Sequence, residues 1–102
     1  MHLIHLRLVS GNGRALPADA AAQLMARSRP EDRLEHVSVA KAPSASGTAT
    51  LGLFFATPRL ADAESAALAL ALRALRAPAF AGFAVEACGA ALLPFTGTGP
   101  EL

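Results

Sequence analysis

The chain has 102 residues, a formal net charge of +1, 53% hydrophobic residues and 5% aromatic ones. That length is one domain, the apolar share is enough for a core and argues against disorder, and the near-neutral charge gives no field to steer nucleic acid or an anionic membrane toward it. Much of the apolar content is alanine, so the expected core is thin, and self-association is a common way for such a small domain to gain stability. Lys41 is the only lysine among the nine Lys and Arg residues, which points to a GC-rich bacterial coding sequence rather than to a binding function. Cys88 is the sole cysteine. It allows no intramolecular disulfide and no multi-cysteine metal motif, which fits a reducing cytoplasm. No secretory signal is read ahead of the first strand, and the longest apolar run, Ala66 to Leu72, is too short to cross a bilayer.

His2 to Val9 reads as a first strand with Ile4, Leu6 and Leu8 on one face and His5 and Arg7 on the other. Ser10-Gly11-Asn12-Gly13 breaks it as a turn. Pro17 suits the first turn of a helix and Asp19 the positive end of its dipole. Ala20, Ala21, Leu24 and Ser28 then recur at helical spacing, and Pro30 limits that helix. Arg33 to Ala40 reads as a second strand, with Val37 and Val39 on one face and Leu34, His36 and Ser38 on the other. Lys41 to Gly47 is a Pro- and Ser-rich hairpin loop. A third strand, Thr48 to Ala56, turns Ala49, Leu51, Leu53 and Phe55 inward and Thr48, Thr50 and Phe54 outward. Pro58 ends it. Asp62 and Glu64 open a second helix that runs to about Ala77, with Leu68, Leu72 and Leu75 as its inward stripe. Pro78 stops it. In a fourth strand Phe83, Val85 and Ala87 alternate with Ala84, Glu86 and Cys88, and Gly89 is expected to mark a bulge. The tail from Pro94 is turn-rich and expected to be mobile.

The element order β-α-β-β-α-β matches the split βαβ, or ferredoxin-like, arrangement. The expected fold is thus an α+β two-layer sandwich over residues 1–94, with 95–102 as a mobile tail. Right-handed crossovers give a four-stranded antiparallel sheet in the order 4-1-3-2, with both helices on one face. The helix-free face would carry His5, Arg7, His36, Ser38, Thr50, Phe54, Glu86 and Cys88, together with Leu3, Val9 and Leu34. It is too polar for a core and too apolar for a purely solvated surface. In ferredoxin-like domains such a face is commonly covered by a second copy of the same sheet or by a ligand held between two.

His5, Arg7, His36, Phe54 and Glu86 are therefore the candidate residues for binding a ligand or partner. Arg7 and Glu86 are expected to pair across strands, with His5 at the edge of the cluster. His2 faces away from His5, and His5 and His36 lie about two interstrand spacings apart, on the order of 10 Å, so no metal site is expected. Cys88 reads as a packed thiol rather than a nucleophile, for no oxyanion site is visible. Gly11-Asn12-Gly13 precedes a helix as phosphate loops do, but lacks the Lys-Ser/Thr ending, and it reads as a simple turn. Leu93-Pro94-Phe95-Thr96-Gly97 resembles the LPxTG sorting signal of cell-wall proteins, but without the apolar span and basic tail that follow it there, and reads as a chance match. The chain lacks the Cys-x-x-Cys loop of metallochaperones and the paired exposed aromatics of RNA-recognition domains. The expected function is a small cytoplasmic accessory module, non-catalytic and free of cofactors. It would self-associate as a homodimer and bind a protein partner or a small apolar ligand through the open face, without nucleic acid or membrane. The alternative is a small cofactor-independent oxygenase or cyclase of the dimeric α+β barrel type, with a pocket enclosed between two sheets.

Overall fold

A computed structural model describes residues 2–11, 15–39 and 48–90. The loop expected from Lys41 to Gly47, the Asn12-Gly13 part of the first turn, the Leu93–Gly97 match and the tail from Pro94 lie outside the described residues. The elements are β1 (His2–Ser10), α1 (Ala20–Arg27), β2 (Leu34–Val39), β3 (Thr48–Phe55), α2 (Leu60–Ala74) and β4 (Phe83–Gly89), with short 3-10 turns at Pro30–Asp32 and Pro78–Phe80. The fold is α+β. Its four strands form one antiparallel sheet in the order β2-β3-β1-β4, which counted from the β4 edge is 4-1-3-2.

Strand β1 is the cleanest case of sequence dictating placement. Ile4, Leu6 and Leu8 are fully or almost fully buried, while His5, Arg7 and Val9 between them are only partly so. The period of two puts one set against the helices and leaves the other on the open side. Leu51, Leu53 and Phe55 of β3 join the buried set, as do Ala20 and Leu24 of α1 and Ala63, Ala67, Leu70, Ala71 and Ala74 of α2. Both helices thus share one core on one face of the sheet. Phe80, fully buried from the turn after Pro78, closes its end.

An ion pair ties the helical layer together. Arg73 Nη2 donates to Asp32 Oδ2 at 2.6 Å, and the Arg29 amide donates to the same oxygen at 2.8 Å. Arg73 Nε also reaches the Arg27 carbonyl at 3.3 Å. One side chain of α2 thereby satisfies the end of α1 and the turn that follows it, where orphan carbonyls would otherwise meet the core rim. Ser28 Oγ caps the same end by donating to the Met25 carbonyl at 2.8 Å.

Several expectations are corrected. First, the inward stripe of α2 is not Leu68, Leu72 and Leu75 but Ala63, Ala67, Leu70, Ala71 and Ala74. Leu68 and Leu72 are 44% and 52% exposed, and only Leu75 packs in part on the core. Small residues win the inner side because they let the helix lie close to the sheet. Second, Leu34 faces the helices, not the open side. It pairs with Phe55, whereas His36 pairs with Phe54, so Glu35 is an extra residue on β2 that turns its neighbours to opposite faces. Third, Cys88 faces the helices as well. Arg7 pairs with Ala87 and Leu8 with Val85, so the bulge in β4 falls at Glu86 and not at Gly89, and Cys88 sits opposite Leu6 of the core face. Both bulges lie on edge strands, where an extra residue twists the edge and discourages further pairing. The helices are also shorter than expected: α1 starts at Ala20, and α2 ends at Ala74, before a turn at Leu75 and Arg76.

Candidate functional site

The helix-free face can be described as four rungs that cross the strands. The first holds His36, Phe54 and Leu3; the second Ser38, Gly52, His5 and Gly89; the third Thr50, Arg7 and Ala87; the fourth Thr48, Val9 and Ala84. Within the first rung the His36 and Phe54 rings lie 5.6 Å apart at 45°, a tilted contact. Leu3 beside them is 37% exposed. This end of the face is a small apolar platform with one polar ring at its margin.

His5 occupies the second rung between two glycines. Its Nδ1 is buried and has no hydrogen-bond partner among the described residues. A proton there would be an unpaired buried donor, so the neutral ring is better served by carrying it on Nε2. Gly52 is on this rung because its neighbours lean into the space above it. A Cβ built there would stand 2.7 Å from Ser38 Oγ and 3.1 Å from Leu3 Cδ1. The glycine therefore lets two side chains fold down over the backbone and keeps the centre of the face low.

The third rung carries the charges. Arg7 Nε lies 3.7 Å from Glu86 Oε1, with the two side chains 32% and 45% exposed. That separation makes an ion pair and is too long for a hydrogen bond. The bulge creates the pair: as the extra residue of β4, Glu86 reaches back beside Arg7 although Ala87 is the register partner. Four of the five candidate residues, His5, Arg7, His36 and Phe54, lie on three successive rungs, and Glu86 joins them through the bulge. His5 and His36 stand on different rungs as well as non-adjacent strands, and among the described residues no group of three His, Cys, Asp or Glu could hold a metal ion.

Cys88 is separated from His5 by the sheet itself, so no Cys–His pair forms. Burial pushes its thiol above 9.0, and the nearby Glu64 carboxylate pushes in the same direction. This is the opposite of the shift that activates a nucleophile. A broad open cleft of about 750 Å³ lies away from the five candidates, lined by Ser28 to Glu31, by Arg33 to Glu35 and by Ala56. Its Arg29 and Arg33 are balanced by Glu31 and Glu35, and it was not foreseen because those charges alternate in sign along the sequence. No helix among the described residues is long and apolar enough to cross a membrane. Compared with known proteins, the chain matches no family model, no curated protein and no solved structure.

Proposed function

We propose that this chain is a non-catalytic accessory module of ferredoxin-like architecture that self-associates through its open sheet face and binds a protein partner or small apolar ligand there. The element order and the crossovers that place β1 and β3 centrally support the architecture. The observation that carries the function is the uncovered platform of Leu3, Phe54 and His36 next to the half-exposed Arg7–Glu86 pair. An apolar cluster at one end of the face with a charged pair two rungs away supplies both kinds of contact that interfaces combine, apolar area and polar groups. Val9 adds a separate apolar contact on the fourth rung, beyond His5 and Arg7. Leu3, Val9, Phe54 and His36 supply contact area in this reading, while His5, Arg7 and Glu86 supply register. Cytoplasmic residence is part of the proposal, supported by the lone cysteine.

Sedimentation equilibrium of the full chain and of its Phe54→Asp variant tests the reading. Phe54 is only partly buried, so the variant should stay folded by circular dichroism while its association constant drops by about a hundredfold or more, as for an interface anchor. Equal association in the two chains contradicts the proposal.

A further inference from the structure

Helix α2 carries its apolar residues in two arcs whose sizes are inverted. The arc against the sheet is Ala63, Ala67, Ala71 and Ala74 with the single Leu70. The arc away from it holds Leu68 and Leu72, at 44% and 52% exposure. A leucine gains more from leaving water than an alanine methyl does. A helix that packs on one side only should therefore place its leucines there, and this one does the reverse.

The outer arc has an order of its own. Glu64, Leu68, Leu72 and Arg76 recur every fourth residue and form one row along the helix and the turn that ends it. The row is on the β4 side of α2: Glu64 Oε2 lies 3.4 Å from the Ala90 amide, whereas Arg73 looks the other way, to Asp32 and the Arg27 carbonyl. Ala61, Ser65 and Ala69 beside the row are exposed and small. They leave room for another helix to approach closely.

Acid, leucine, leucine, base is a row that matches itself when turned end for end. Laid antiparallel on a second copy, Glu64 meets Arg76 of the partner copy and Leu68 meets Leu72 of the partner copy, each contact occurring twice. From this self-complementarity we infer that the outer flank of α2 is an interaction surface for a second copy of this chain, packed antiparallel about a two-fold axis between Leu68 and Leu72. The row spans about 18 Å, a little over three helical turns with the terminal turn included. The contact is isologous and closes on itself. It belongs to the helical layer and does not depend on the sheet-face reading. With both surfaces in use the chain would assemble beyond a dimer.

The test is sedimentation equilibrium of the full chain carrying Phe54→Asp, which disables the sheet face, with Leu3→Glu as the substitute if that variant misfolds. A dimer is expected to remain. Adding Leu72→Glu should reduce it to the chain mass of 10.4 kDa with an unchanged circular dichroism spectrum. Glu64→Arg and Arg76→Glu should each weaken the dimer about tenfold, and the two together should restore it to within about threefold of the parent. A Phe54→Asp chain that is monomeric at several hundred micromolar overturns the inference. So does a dimer indifferent to Leu72→Glu, or a charge swap that fails to restore association. A sheet-face failure reads differently: Phe54→Asp would leave the wild-type mass unchanged while Leu72→Glu still lowered it.

Discussion

The Arg7–Glu86 pair offers a graded probe of whether the open face is covered. In the single chain its atoms are 3.7 Å apart and its side chains 32% and 45% exposed. Water screens such a pair, and exposed pairs couple by roughly 0.2–1 kcal/mol. Arg7→Met, Glu86→Gln and the double variant, unfolded by urea at low micromolar concentration where monomers dominate, should therefore give a coupling energy below about 1 kcal/mol. The same cycle at high concentration should differ if the face becomes buried. Each single variant then strands a charge in the interface, at a cost of about 3–5 kcal/mol, and the double variant recovers most of it. A coupling energy that stays below about 1 kcal/mol at every concentration would refute burial of this face.

Other outcomes follow from the same structure. Asp32→Ala should destabilise the chain by about 2–3 kcal/mol in urea unfolding, because it strips the Arg73 guanidinium and the Arg29 amide of one shared acceptor. Arg73→Met should cost less, since Asp32 keeps its backbone donor. Gly52→Ala should change stability by no more than about 1 kcal/mol, because the atoms it crowds are the ends of the flexible Ser38 and Leu3 side chains. It should weaken self-association more than stability, and Ser38→Ala should partly relieve it. The raised Cys88 thiol sets a pH window. Between 9.0 and the higher folded value the unfolded chain releases a proton that the folded chain keeps, so stability should decline as pH rises through that interval and be unaffected by this group below it. Urea midpoints measured from pH 8 to 10.5 should show that slope, and Cys88→Ala should flatten it. With no tyrosine and one lysine in the chain, few other groups titrate there.

The central strands were legible because β1 and β3 alternate without interruption from end to end, so each residue's face follows from its parity. The edge strands were legible only up to their bulges. Glu35 and Glu86 carry no residue-type mark of an extra position, and each flips what lies beyond it: Leu34 on one strand, Cys88 on the other. The Arg7–Glu86 contact was anticipated from parity but arises through the bulge, which aims Glu86 back along the strand. In α2 the spacing was helical for both sets of apolar residues, and hydrophobicity favoured the leucines. The deciding factor was closeness of approach to the sheet, which favours alanine and which no single-sequence pattern reports. The low centre of the open face was missed for a related reason. Gly52 looks like a weak point in an apolar strand until Ser38 and Leu3 are seen to fill its place.

Isotope-filtered NOE spectroscopy on a mixed sample of labelled and unlabelled chains addresses the sheet-face assignment without substitutions. Chains that meet through the open face should show intermolecular contacts between the Leu3 and Val9 methyl groups and the Phe54 ring. An oligomeric sample that lacks any intermolecular contact to these three residues, or a sample that stays monomeric at the concentrations of the experiment, would contradict the assignment.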